Sequence, residues 1–385
     1  MQSFSRIVLF TCITCVIASC VTSKKAQVAN ATANIKSLKF LAEYDIPFGL
    51  NYNNTVVGGL SGIDYDREHD RYYLICDDRS AINPARFYSA RINIQNNKID
   101  TIAFTGVKSL LQPNGAVYPN SKQDPFNTPD AESIRYIPLK DQLLWSSEGE
   151  RNLRENEAIL SDPAIRVINP EGKYIDSFPI PINVHMRSTE SGPRQNSVFE
   201  GMAFANNFKT LFVSVEEPLY EDGPRADVTD NNAYIRILKF DVDSKKNISQ
   251  YAYKLEPIKY PADPVTGYKI NGVSEILSLD SQKLLVIERA FSTGRLACVV
   301  KIFITELQEA TDIINIPSLK IAGNFKAAHK KLLLDMSNLG IYIDNIEGIT
   351  FGPVLPNGHR TLLFIADNNF NPLEKTQVLL FEVNE

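Results

Sequence analysis

Residues 58–79 read GGLSGIDYDREHDRYYLICDDR: a short apolar run, a polar turn, then a second run rich in β-formers that ends in acids. The unit returns as DAESIRYIPLKDQLLWSSEG at 130–149 and VFEGMAFANNFKTLFVSVEE at 198–217. It returns again as GVSEILSLDSQKLLVIER at 272–289 and NIEGITFGPVLPNGHRTLLFIADNN at 345–369. Superposing Ile63, Ile134, Met202, Ile276 and Ile349 gives steps of 71, 68, 74 and 73 residues. Strand-pair units at such even spacing form an array in which each unit buries its apolar face against the next.

Each pair is followed by further strand-like segments. In the fourth repeat these are 297–305 and 312–316. The fifth repeat has one only, at 377–383, and residues 37–47 supply a strand that can complete it and close a ring. Four strands per unit with a shared closing unit predict an all-β fold, a β-propeller. Five blades are expected. A sixth has room only if residues 106–129 or 311–344 hide a degenerate blade. Within the latter, residues 327–339 (AAHKKLLLDMSNL) read as a helix.

The chain has 385 residues, of which 44% are hydrophobic and 22% charged, as in ordinary globular proteins. Residues 1–19 read as a signal segment, with Arg6, an apolar stretch at 7–17, and small residues before Cys20 that resemble a bacterial lipobox. Lipidation at Cys20 is expected, with residues 20–35 as a flexible tether and 36–385 as one domain. The expected location is the bacterial cell envelope, anchored outside the cytoplasm. Removing residues 1–19, which hold Arg6 and no acid, takes the net charge from −5 to −6. A mildly acidic chain without a basic run excludes nucleic acid as the expected partner. A monomer is expected. Cys76 and Cys298 lie in apolar strand sequence in units that do not adjoin, and are expected as buried free thiols.

The first strands start with Glu132, Glu200, Glu275 and Glu347; the second strands end with Asp77, Asp78, Glu148, Glu216, Glu217, Glu288 and Asp367. Antiparallel neighbours bring those starts and ends to one edge, which in a propeller rims the central channel. So many carboxylates in a dry funnel raise one another's pKa and call for an offset. Bound cations, Ca²⁺ first among them, are one offset. Arg79, Arg135, Arg194 and Arg289 are another, and interblade ion pairs without chemistry would use the same residues.

The motifs GGLSGIDYD, DAESIRY, NSVFEGMAF, SVEEPLYEDGP, IERAFSTG and NIEGITFG resemble the phytase-like family, the "esterase-like activity of phytase" domain, over residues 58 to 383. The resemblance implies hydrolysis of phosphate or carboxylate esters by an envelope-anchored protein. Propeller phytases are six-bladed and hold phosphate with several Ca²⁺ ions and basic residues, whereas five repeats are legible here. On this reading Glu132, Glu200, Glu216, Glu288, Glu347 and Asp367 hold metal. Glu148 and Glu200 are catalytic, and Arg79, Arg194, Arg289 and His185 bind an anionic or ester small-molecule substrate. Two alternatives stay open: a non-catalytic binding or scaffold propeller with structural ions, and a glycan-active hydrolase using paired carboxylates. Ser61 lacks the last glycine of a nucleophile elbow, which disfavours a serine hydrolase.

Overall fold

A computed structural model describes residues 34–153 and 157–385. The signal segment, Cys20 and most of the tether lie outside the described residues.

Five four-stranded antiparallel sheets form the architecture. Blade 1 comprises Leu60–Asp66, Arg71–Cys76, Arg86–Gln95 and Lys98–Ser109; blade 2 comprises Ala131–Ile137, Gln142–Ser147, Ala164–Ile168 and Tyr174–Phe178. Blade 3 comprises Phe199–Ala205, Thr210–Val215, Tyr234–Asp241 and Asn247–Lys254; blade 4 comprises Lys269–Ser278, Lys283–Ser292, Val299–Glu306 and His329–Asp335. Blade 5 takes Asn345–Phe351, Thr361–Asp367 and Thr376–Asn384 from the C-terminal end and Ser37–Ile46 from the N-terminal end. The latter pairs antiparallel with Thr376–Asn384, Ser37 opposite Asn384 and Ile46 opposite Thr376. The ring is thus closed by joining the two ends of the chain, as the spacing of the repeats requires.

Hydrogen bonds carry the innermost strands around the ring. Ser61 Oγ donates to the Glu132 carbonyl (2.8 Å), Arg135 Nε to the Met202 carbonyl (2.6 Å), and Met202 N to Glu275 Oε1 (2.9 Å). Ser274 Oγ donates to the Ile346 carbonyl (3.0 Å) and Thr350 Oγ1 to Asp64 Oδ1 (3.3 Å). The apolar core is divided in the same way, into slabs between successive blades. Phe199, Leu211 and Phe240 meet Leu144 and Ile165 between blades 2 and 3, and Ile349, Phe364 and Phe381 meet Ile287 and Val300 between blades 4 and 5.

Residues 327–339 are not helical. His329–Asp335 is the outer strand of blade 4, paired with Val299–Glu306, and Met336–Asn338 is a single 3₁₀ turn. The Lys, Leu and Ala content favours helix locally, but pairing to an open sheet edge outweighs that preference. Residues 312–316 are not that strand; instead Ile313 N donates to the Gln250 carbonyl (2.8 Å) and Ala328 N to the Ala252 carbonyl (2.8 Å). The segment therefore covers the edge of blade 3, a position where an exposed strand would invite association. It hides no sixth blade, and neither do residues 106–129. Cys76 and Cys298 are buried and free.

Candidate metal centre at the channel mouth

All five innermost strands carry a register shift at the same place, between Leu60 and Gly62, Ala131 and Ile134, Phe199 and Met202, Val273 and Glu275, and Ile346 and Gly348. A bulge re-aims the side chain it carries. Here the residue two before the superposed position becomes the ring residue: Ser61, Glu132, Glu200, Ser274 and Glu347. The matching ring from the second strands is read from the residues opposite Leu60, Ala131, Phe199, Val273 and Ile346. These are Cys76, Ser147, Val215, Glu288 and Ala366. The residue after each completes the ring: Asp77, Glu148, Glu216, Arg289 and Asp367.

This register separates the acids the sequence groups together. Glu275 is one position late and occupies the place of Gly62, Ser133, Gly201 and Gly348. Its carboxylate turns into the channel, meeting Arg135 Nη2 (2.6 Å), Ser133 Oγ (3.1 Å), Met202 N and Ile276 N (2.9 Å each). Arg135 also donates to the carbonyls of Ile63 (2.8 Å), Ile134 (2.9 Å), Met202 (2.6 Å) and Ile276 (3.3 Å), four of the five superposed positions. Arg135 and Glu275 thus form a polar lock beneath the funnel.

Glu288 is one position early and faces away from the mouth. It accepts from Tyr253 Oη (2.7 Å), Glu256 N (2.9 Å), Asn271 Nδ2 (2.8 Å) and Lys330 Nζ (2.6 Å), a full set of partners. It does not join the metal ligands expected from the sequence. Asp78 likewise leaves the ring, binding Arg86 Nη1 (2.7 Å) and the amides of Ala81, Ile82 and Asn83.

The structure brings together Asp77, Asp130, Glu132, Glu148, Glu200, Glu216, Glu347 and Asp367. Glu132, Glu148 and Glu200 each place an oxygen within 4.8 Å of the others, and so do Asp77, Asp130 and Glu132. Asp130 was not singled out from the sequence, although its place directly before the first strand of blade 2 puts it at the rim. Glu148 is fully buried; its Oε1 accepts from Val198 N (2.5 Å) and its Oε2 has no partner among the described residues. Burial, with the charge of Asp130, pushes its carboxyl up to about 7, against the pull of the hydrogen bond from the Val198 amide. Burial and mutual repulsion hold Asp77, Glu132, Glu200 and Asp367 well above the usual carboxylate range. Glu216 is held there too, although Arg289 opposes the shift.

The basic residues divide. Arg289 Nη2 lies 2.9 Å from Glu216 Oε1 and 3.5 Å from Glu347 Oε1, bridging blades 3 and 5 from blade 4. Burial opposes its charge, but Glu347 and Glu216 drive the guanidinium's pKa up. Arg79 pairs with Glu150 and lies 3.6 Å from Asp130. Arg194 is used elsewhere: it donates to the carbonyls of Pro218 (2.9 Å) and Gly223 (3.0 Å) and stacks on Tyr220. His185 is tied to Asp162 (2.7 Å), away from the acids. These two, expected as substrate ligands, instead pin the loops around residues 185–223.

Eight buried or half-buried carboxyls facing two guanidiniums at the mouth of a five-bladed ring define an acidic-funnel propeller. The chain belongs to the family described as "Phytase-like: Esterase-like activity of phytase", whose model matches residues 55–370. No curated protein matches it. Among solved structures it is similar to an exo-β-1,3-galactanase from Clostridium thermocellum, with 12% identity, 89% of this chain and 63% of that chain covered, and a TM-score of 0.45. It is also similar to the periplasmic gluconolactonase PpgL of Pseudomonas aeruginosa, with 11% identity, coverage of 86% and 90%, and a TM-score of 0.37. No helix among the described residues is long and apolar enough to cross a membrane.

Proposed function

We propose that the chain is a cation-dependent hydrolase of phosphate or carboxylate esters that works at the acidic funnel. The observation that carries this is the unneutralised charge: Glu132, Glu148 and Glu200 converge within 4.8 Å, and Glu148 Oε2 is buried without a partner. An all-carboxylate oxygen set suits Ca²⁺, and the family supports ester chemistry. Glu132 and Glu200 would hold the ion beside Glu148. A cation there supplies polarisation of a phosphoryl or carbonyl oxygen. Arg289, whose Nε has no partner among the described residues, is placed to hold an anionic oxygen across the funnel. Glu148, poised near neutrality with Oε1 fixed, takes the proton at Oε2. The Arg135–Glu275 lock closes the channel beneath, so substrate enters and leaves by the same mouth.

The test is metal content of the purified chain, paired with hydrolysis of generic phosphate and carboxylate esters with and without chelator. Chelator-sensitive turnover is expected. Glu200→Gln is expected to abolish it with the circular dichroism spectrum unchanged. A folded, metal-free, inactive chain would sink the proposal.

The same reading anchors the chain at the cell envelope through Cys20. Ile46 lies at the funnel edge, opposite Thr376, and Ser37 lies at the far edge, opposite Asn384. The described chain therefore enters the propeller on the face away from the funnel. Labelled palmitate should enter the wild-type chain in a bacterial host and not Cys20→Ser; equal labelling of both removes the anchor from Cys20.

A further inference from the structure

We infer that Tyr268 is a specificity-determining residue of the funnel, whose ring stacks on an aromatic ring in the organic part of the ester. The inference rests on the ester-hydrolase reading above and adds the substrate class, an anionic ester that carries an aromatic group.

Blade 4 differs from the others at the mouth. Its innermost strand begins at Lys269, five residues before the ring residue Ser274, whereas those of the other blades begin one or two residues before theirs. Its second strand runs on to Ser292, three residues past Arg289, whereas the others end at or just before the ring residue. The pairs Lys269–Ser292, Ile270–Phe291 and Asn271–Ala290 therefore stand above the ring, a rise of roughly 10 Å.

Successive side chains of a strand alternate between its two faces. One face of this hairpin is closed: Asn271 Nδ2 donates to the Glu256 carbonyl (2.8 Å) and Ser292 Oγ to the Tyr260 carbonyl (2.8 Å). The other face holds Gly272 opposite Arg289 and Ile270 opposite Phe291, and Tyr268 continues it. An apolar surface thus rises directly from the guanidinium that faces the acids. Ile270 is buried at its base, and Phe291 packs against the core between blades 4 and 5. At its top the Tyr268 ring lies 6.4 Å from that of Phe291 and is 56% exposed. Partial burial and the nearby charges of Glu216 and Glu217 raise the pKa of its hydroxyl, in keeping with a place at the mouth.

Among the described residues, Phe48, Phe126 and Tyr268 are the aromatic side chains that stand exposed, and all three lie on connections at the funnel edge. An aromatic ring left in water forgoes a large burial term, so their concentration on one face marks a surface that takes a ligand. Two anchors fix the chemistry of that ligand. Arg289, with Nε buried and unpartnered among the described residues, takes an anionic oxygen. Tyr268, on the same face of the same hairpin, offers a flat ring, which gains more from a second ring than from a flexible chain.

The experiment is calorimetric titration of the full chain, in buffer containing Ca²⁺, with 2-phenylethylphosphonate and with ethylphosphonate. The two differ by the phenyl group alone and carry no ester to hydrolyse. The phenyl compound is expected to bind the wild-type chain at least about tenfold tighter. Tyr268→Ala is expected to lose that preference and keep its affinity for ethylphosphonate, while Tyr268→Phe keeps both, a pattern that a merely structural role for the ring would not give. Should Tyr268→Ala not fold, Tyr268→Gln, of similar reach and without a ring, replaces it with the same expectation. Equal affinities in the wild-type chain, no binding of either compound, or a preference that survives removal of the ring overturns the inference, and the hydrolase reading then rests on turnover of the generic esters. A preference that depends on Tyr268 without turnover of any ester keeps the aromatic site and overturns the hydrolysis.

Discussion

Arg289 holds a ring position that three other blades fill with Asp77, Glu148 and Glu216 and a fourth with Asp367. Its guanidinium reaches Glu216 and Glu347, both buried, so it is the counter-ion for two blades at once. Removing one partner of a buried pair costs far more than the pair contributes, because the other charge is left uncompensated. Arg289→Met is therefore expected to lose about 3–5 kcal/mol in urea denaturation at pH 7. The loss should shrink as pH falls, since burial raises the pKa of Glu216 and Glu347 and protonation removes the charge left behind. Unchanged stability at pH 7 would show that the two carboxyls are neutral or paired elsewhere. At this scale the sequence was partly legible. Repeated acids at strand starts and ends did locate the funnel, and Glu132, Glu148, Glu200, Glu216, Glu347 and Asp367 all reach it. Glu275 and Glu288 do not, because each is one residue out of register, and a slip of one residue sends a strand side chain to the opposite face. Blade 4 hides the slip: Ser274-Glu275 and Glu288-Arg289 offer an acid next to the ring position in both strands, and only the pairing register tells them apart.

The bulge in each innermost strand is the element that builds the ring, and glycine keeps it narrow. A Cβ on Gly62 would stand 2.7 Å from the Glu132 carbonyl oxygen, and one on Gly201 would stand 2.6 Å from Ile276 N. Both clashes are with backbone of the next blade, which cannot swing aside. Gly62→Ala is expected to lose about 1–3 kcal/mol in the same denaturation assay, the usual cost of overpacking. Gly323→Ala, with nothing within 4 Å of its new Cβ, should stay within about 0.5 kcal/mol of wild type. Equal effects at the two sites would mean that the blades have slack at the bulge. The first two strands of every repeat were legible because both are buried and short, bounded by turn residues. The outer strands were less so. His329–Asp335 has no fully buried residue, and its lysines and leucines carry a helical preference that is overruled by the edge of Val299–Glu306. Where neighbours supply the order, local composition misleads.

Across the whole molecule, the ring closure and the polar lock press the acids together, and this sets how stability should respond to pH and to cations. Glu148 rises from 4.5 to about 7, and burial and neighbouring carboxylates hold Glu132, Glu200 and Asp367 well above their usual range. A carboxyl whose pKa is higher folded than unfolded binds more protons in the folded state. Stability then falls as pH rises from the unfolded pKa through the folded one. Well below the ordinary carboxylate values, 4.5 for Glu and 3.8 for Asp, these groups are neutral in both states and contribute nothing. Above about pH 7 Glu148 is ionised in both, and its burial works against folding. For Glu148 alone the difference is roughly 3 kcal/mol. The chelator-stripped chain should therefore be more stable at pH 5 than at pH 8, the reverse of a protein whose carboxylates are held by salt bridges. Ca²⁺ binds the ionised folded form, so saturating ion should restore stability at pH 8 and do little at pH 5, where protons compete for the same oxygens. Urea denaturation at both values, with chelator and with excess Ca²⁺, gives the four numbers needed. If the stripped chain is as stable at pH 8 as at pH 5, the funnel carries no unneutralised charge and calls for no cation.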